Sequence, residues 1–392
     1  MFTRRSLLKS AAVSVPTFLA SGSLRPGQAD DAIAGSGDAT YPGLITRQRS
    51  PDNLEFPFAT LKEWVTPTPR FFVRSHFNLP QIKADEWTLR VEGHVEQPFS
   101  LGLKELLQLP AVTQTVLLEC AGNGRVYLQP LQAGLRWEQG GVSNSEWTGT
   151  PLAALLDRAR VKSGAVEVIL EGQDRGRIGP PNPPSAGEIP FARSLPIAKA
   201  TDPHTLLAWQ MNGEPLTPAH GFPARAIVPG WYGMASIKWL KRIVVTDRPY
   251  DGYFQTFNYT IWTRPENGLA TLTPVTDIDV KSQIARPVAY EQIAAGKPCR
   301  IFGAAWAGEP EIKSVDVSTD GGQTWSAATL EERSQPYAWR FFHFEWANPA
   351  RGEHTLMCRA TDARGRVQPL QRDEDRRDAM VTHVQAIPVT VR

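Results

Sequence analysis

The hydrophobic pattern of this chain is mainly that of short strands. Residues 112–117 form an apolar, β-branched run, which predicts a strand that delivers Cys120 into a glycine-rich turn. Residues 87–93 alternate between apolar and polar positions, as a half-buried strand does. Residues 166–170 predict another strand, which ends in Glu171-Gly172-Gln173-Asp174. Two further buried runs lie at 206–209 and 237–240. Helical spacing is scarce, and residues 100–107 predict one short helix.

From about residue 288 the pattern changes to short alternating strands separated by turn signals. Strands are expected at 300–306, 339–346 and 354–360. Asp320-Gly321-Gly322 reads as a hairpin turn, with Trp325 just after it. Such a pattern predicts an immunoglobulin-like β-sandwich. A Pro-rich join near 271–287 separates it from a larger unit at 55–270, and 30–54 reads as an arm or linker. With 392 residues, two domains are the default.

Composition narrows the function classes. The formal net charge of +2 and the lack of a basic stripe give nucleic-acid binding no electrostatic support. Thr3-Arg4-Arg5-Ser6-Leu7-Leu8-Lys9, followed by a short apolar segment, matches a twin-arginine export signal over residues 1–29. That route carries folded proteins, so the expected location is the periplasm. Residues 7–20 are too short and too polar to span a bilayer, and no membrane insertion is expected. Three cysteines cannot build a disulfide scaffold. Cys299 and Cys358 lie 59 residues apart in strand-like runs, where they are either a bridge between two sheets or free buried thiols.

The candidate chemistry centres on Leu118-Glu119-Cys120-Ala121-Gly122-Asn123-Gly124-Arg125. A strand end that opens into Gly and Asn lets the backbone approach a bound group. A lone thiol beside Arg125 is a thiolate ligand, a nucleophile, or simply a small buried hydrophobe. A zinc site is excluded by the absence of Cys-x-x-Cys or a His/Cys cluster.

This loop resembles the molybdenum-ligand loop of the sulfite oxidase family. Three more segments match that family in order: Phe71-Phe72-Val73-Arg74-Ser75-His76, His220-Gly221-Phe222-Pro223-Ala224-Arg225, and Val317-Ser318-Thr319-Asp320-Gly321-Gly322-Gln323-Thr324-Trp325. The resemblance runs from about residue 55 to the end. It implies an α+β fold class: a mixed α+β molybdopterin-binding domain, then an immunoglobulin-like domain that mediates a homodimer.

The resemblance also implies roles. Cys120 would be the protein ligand to molybdenum, since a soft thiolate suits a metal already bound by dithiolene sulfurs. Arg74 and Arg125 match the anion-pocket arginines, and one of Arg376 or Arg377 would join them, although 372–377 carries no clear signature. Guanidinium forks suit a sulfur oxyanion such as sulfite. Tyr259 matches an active-site tyrosine, and Trp137 matches a pocket-lining tryptophan; a sheet tyrosine and core packing are their plainer alternatives. The pterin would be held by Phe72, Val73, Arg74, Ser75, His76, Asp174, His220, Arg225, Ser236, Ile237 and Lys238. Of these, His220, Arg225 and Lys238 suit a phosphate, and Asp174 can accept from an amino-pterin edge. On its own, His220 would read as a satisfied core histidine.

Two departures stand out. Gly124 occupies a position where many relatives have a second Arg, and Ser75 one where they have Asn. No haem-binding His-Pro-Gly-Gly, Cys-x-x-Cys-His, flavin or nicotinamide fingerprint occurs. The expectation is a periplasmic, haem-free and flavin-free sulfite dehydrogenase. It would oxidise sulfite to sulfate by oxo transfer at molybdenum and pass electrons to an external c-type cytochrome. Its nearest rival is the molybdenum subunit of a sulfur dehydrogenase in thiosulfate oxidation. A related sulfoxide reductase is more distant, because that group lacks the second domain. A secreted immunoglobulin-like binding protein would leave Cys120 unexplained.

Overall fold

The computed structural model describes residues 41–180 and 182–392. The expected signal segment and the arm up to residue 40 lie outside the described residues. Within them, the N-terminal strands Ile45–Gln48 and Asn53–Glu55 pair as a hairpin. Leu54 then exchanges both backbone hydrogen bonds with Val73, at 2.9 and 2.8 Å, which fixes the 71–76 segment beside this hairpin.

Two five-stranded sheets build the first unit. In one, Val112–Glu119 pairs with Val142–Pro151, which pairs with Leu206–Met211, which pairs with Glu214–Pro215 and with Arg225–Ile227, all antiparallel. From Val116 to Glu119 every residue is buried, so the strand is covered on both faces just before Cys120. The other sheet runs Phe99–Gly102, Thr88–Gly93, Leu240–Thr246, Glu167–Gly176, Ile189–Pro196. Its Thr88–Gly93 strand alternates as expected, with Leu89 and Val91 fully buried.

Helices are few. Among the described residues the α-helices are Leu103–Leu106, Leu152–Ala159 and Ile197–Ala200, so the unit is mostly β. The helix expected over 100–107 forms only at its centre. Ser100 and Leu101 pair instead with Arg90 and Leu89, and the Glu105 carboxylate accepts the Gly102 N–H at 2.9 Å to start the helix there. No helix among the described residues is long and apolar enough to cross a membrane.

The expected join is itself structured. Thr271–Pro274 pairs with Thr260–Thr263, and Lys281–Arg286 is already the first strand of the second unit. That unit has two sheets. One is ordered Lys281–Arg286, Cys299–Trp306, Arg340–Trp346, Thr329–Leu330. The other is ordered Gln292–Ile293, Ile387–Val391, Gly352–Asp362, Ile312–Ser318, Ser326–Ala327. Ile301 and Phe342 from the first share one core with Val315, Val317, Leu356 and Val389 from the second. Cys299 and Cys358 are free thiols, one in each sheet, so the bridge between sheets is not formed.

A continuous apolar core joins the units, and it takes in Trp306, Trp339 and Phe341. Trp64 and Trp339 each donate an indole N–H to the other's carbonyl, at 3.0 and 2.8 Å. Lys281, on the first strand of the second unit, reaches across to Glu119, immediately before Cys120.

Candidate active site

The Cys120 turn is over-determined by its backbone. The Cys120 N–H donates to Gly141 O at 2.8 Å, and its carbonyl accepts from the Asn123 N–H at 2.8 Å. Gly124 has φ +94°, a conformation that excludes most side chains. At Gly122 a Cβ would lie 2.5 Å from the Arg125 guanidinium, so glycine there lets that side chain fold over the turn. Cys120 itself is 8% exposed.

Cys120 lies in the walls of two cavities. The first is lined by Phe72, Arg74, Ser75, His76, Asp174, His220, Arg225, Ser236, Lys238 and Tyr259, among others. The second is lined by Arg74, His76, Arg125, Tyr259 and Asp378 among others. Four residues therefore sit between the two: Arg74, His76, Cys120 and Tyr259.

The first cavity is rich in buried polar groups bonded to one another and to the backbone. The Lys238 ammonium donates to Ser75 Oγ and Ala219 O, both at 2.9 Å. Burial, and the Arg225 charge after it, push its pKa well down. Arg225 donates to the carbonyls of His220 at 3.0 Å and Ser236 at 2.9 Å, and burial lowers its pKa to about 9. Burial also holds His220 near 3, so its imidazole is neutral and shares a 3.2 Å hydrogen bond with Thr68 O. Asp174 is the odd member. Burial raises its pKa to about 7, and its Oδ1 has no hydrogen-bond partner.

An orphaned buried carboxylate oxygen facing cationic donors marks a place where a ligand completes the network. The donor set fits a phosphorylated, amino-substituted ring: cations and a neutral imidazole for phosphate, Asp174 Oδ1 for amino hydrogens, and one thiol for a metal. Among the described residues no group of three or more His, Cys, Asp or Glu side chains is placed to hold a metal. A metal at Cys120 thus needs most of its ligands from the ring compound.

At the junction, His76 Nε2 and the Tyr259 hydroxyl share a 2.5 Å hydrogen bond. His76 also stacks on Phe191 with ring centroids 3.9 Å apart. Burial, then Arg74 and Lys238, push the His76 pKa well down; burial raises that of Tyr259. Both groups are therefore neutral around pH 7.

Some expected residues are not brought to the cavity walls. Trp137 is fully buried and packs edge-on against Phe72, with centroids 6.2 Å apart, as a core residue does. Val73 and Ile237 point into the core, and their contributions are backbone ones. Arg376 pairs with Asp279 at 3.0 Å, and Arg377 donates to the Thr260 carbonyl at 3.2 Å, so neither is free to reach an anion. Conversely, Phe191, Arg193 and Asp378 escape sequence reasoning. Fully buried Arg193 donates to Val275 O at 2.7 Å and lies 5.9 Å from the Tyr259 ring; an Arg inside the apolar strand 189–196 was its only signal.

With this geometry in place, the comparisons become specific. Residues 76–254 match the family described as oxidoreductase molybdopterin binding domain, and 273–382 match the Mo-co oxidoreductase dimerisation domain. Sulfite oxidase of Gallus gallus is 32% identical over 361 residues, covering 87% of this chain and 76% of that protein. The chain belongs to the sulfite oxidase family of molybdopterin enzymes. Mitochondrial sulfite oxidase of Rattus norvegicus is 34% identical over 349 residues, covering 84% of this chain. This chain spans 62% of the length of that mammalian relative. Among solved structures, the sulfane dehydrogenase SoxCD from Paracoccus pantotrophus matches with a TM-score of 0.76 and 28% identity, over 96% of this chain and 93% of that one. The family assignment relates this chain to molybdopterin enzymes, among them ones named for sulfur substrates.

Proposed function

We propose that this protein is a periplasmic sulfite dehydrogenase, exported folded by the twin-arginine route. It works as a homodimer through an immunoglobulin-like second domain and passes electrons to an external c-type cytochrome. The reading assigns the chain molybdopterin, and neither haem nor flavin. The observation that carries it is the position of Cys120, whose single thiol borders both a cavity lined by Asp174, His220, Arg225 and Lys238 and a cavity with two arginines.

Molybdopterin, when bound through Cys120, would supply oxo transfer and two-electron redox chemistry. The chain does the rest. Lys238, Arg225, His220 and Ser236 would bind the phosphate end, and Asp174 would accept from the amino edge. Arg74 and Arg125 attract and orient the sulfur oxyanion from the other side. The Tyr259 hydroxyl, kept protonated by burial, offers a donor at the junction where negative charge collects. His76 cannot take a second proton near neutrality, so it serves to aim that hydroxyl.

A second reading, sulfane oxidation on a carrier, is favoured by the full-length likeness to the sulfane dehydrogenase. One experiment separates them. Purified protein should contain stoichiometric molybdenum and reduce cytochrome c with free sulfite. Full molybdenum without turnover of free sulfite favours the second reading; protein expressed in a competent host without molybdenum sinks both.

A further inference from the structure

The second cavity contains an acid that an oxyanion pocket does not need. Asp378 lines it together with Cys120, Arg74 and Arg125. Its carboxylate Oδ2 lies 3.5 Å from Arg125 Nη2. Two of the five Arg125 donors are committed elsewhere: Nε gives to the Asp378 carbonyl and Nη1 to the Leu135 carbonyl, both at 3.0 Å. Asp378 therefore faces Nη2, the guanidinium nitrogen that neither carbonyl engages.

The Asp378 side chain is 41% exposed, but the backbone that carries it is held in place. Two residues on, the Met380 N–H donates to Ala121 O at 2.7 Å, inside the Cys120 turn. Val381 packs where a Cβ on Gly124 would be, 3.2 Å away. The segment carrying Asp378 is thus clasped to the turn from both sides of Arg125. Neither neighbouring arginine lines the cavity: Arg376 is paired with Asp279 and Asp373, and Arg377 donates to the Thr260 carbonyl. The cavity wall then carries Arg74 and Arg125 against one carboxylate, which halves its surplus positive charge.

We propose that Asp378 is a specificity-determining residue that weakens the hold of this cavity on doubly charged oxyanions relative to singly charged or neutral sulfur groups. This rests on the reading that the cavity takes a sulfur oxyanion. Repulsion by Asp378 scales with the charge on the ligand, so it acts on a dianion twice as strongly as on a monoanion of the same shape. A product dianion would also leave more readily from such a wall, at the expense of capture of the substrate dianion.

The test uses the holoenzyme and two probes of one geometry: sulfate, a dianion, and methanesulfonate, a monoanion. Binding is measured by calorimetry for wild type, Asp378→Asn and Asp378→Glu, with the sulfite KM alongside. In Asp378→Asn, sulfate should bind about tenfold tighter and methanesulfonate about threefold tighter, the square-root relation that charge scaling requires. The sulfite KM should fall. Asp378→Glu, which keeps the charge, should hold the wild-type ratio of sulfate to methanesulfonate affinity. Equal gains for the two probes, or no gain while wild type binds sulfate, would overturn the role of Asp378 and leave the oxyanion reading intact. If neither wild type nor variant binds sulfate or oxidises sulfite, the oxyanion reading falls and this inference falls with it.

Discussion

Replacing Lys281 with Met should destabilise the protein sharply, although Lys281 lies in the second unit and lines neither cavity. Its ammonium is 2% exposed and sits 2.9 Å from Glu119 Oε1, itself 1% exposed. It also donates to Asn123 O at 3.1 Å. The Glu119 carboxylate is further held by the Trp306 indole N–H at 2.8 Å and the Asn123 amide at 3.0 Å. Removing the cation leaves a desolvated carboxylate with two neutral donors. Breaking a buried pair in this way costs about 3–5 kcal/mol. For a domain of this size each kcal/mol moves Tm by roughly 2–4 °C, so a fall of about 10 °C is expected. Glu119→Gln should cost a comparable amount by stranding Lys281. The Glu119→Gln/Lys281→Met double variant should recover part of the loss, because no charge is left unpaired, although the amide has a single accepting oxygen and keeps either the Trp306 or the Asn123 contact. Scanning calorimetry of the holoenzyme, at low and high salt, reads the shift; burial should make it insensitive to salt. A Lys281→Met variant within about 2 °C of wild type, or a double variant as poor as the two losses added, would refute the reasoning. Glu119 precedes Cys120, so the same variants should also lose molybdenum on dialysis sooner than wild type.

Three other outcomes are expected. Cys120→Ser should fold normally, judged by circular dichroism, yet lose sulfite turnover, because a neutral hydroxyl is a poor replacement for a thiolate at a metal already bound by dithiolene sulfurs; substantial turnover with cofactor bound contradicts the ligand role. Arg74→Gln and Arg125→Gln should each raise the sulfite KM by about 10- to 150-fold, the equivalent of a lost charge-assisted contact of about 1.5–3 kcal/mol. Asp174→Asn should change the pH dependence of stability in protein made without cofactor. With its pKa raised by burial to about 7, Asp174 folds most easily when protonated, so wild type loses stability as pH rises from about 4 to 7. The variant should lack this loss, and its Tm advantage should grow across that window and level off above it; a constant Tm difference would rule the assignment out.

The strand pattern and the Cys120 turn were legible in sequence because both are local. Alternation at 88–93 follows from one buried sheet face, and a buried run ending in Gly and Asn marks a strand opening into a turn. The limits of that legibility are physical. Residues 100–102 looked helical, but hydrogen-bond pairing with Thr88–Gly93 overrode local spacing. Trp137 matched a pocket position, yet local pattern does not say which side of a wall an indole occupies. The charge of a cavity is less local still. Lys281 meets Glu119 across 162 residues, and Asp378 meets Arg125 across 253. Sequence identifies Arg74 and Arg125 as anion binders by their neighbours along the chain. Whether their charge is available depends on neighbours in space, and at Arg125 the folded chain has placed a carboxylate 3.5 Å from Nη2. Motif resemblance can therefore assign this site a family, while the charge around Arg125 is set in part by a residue outside every motif.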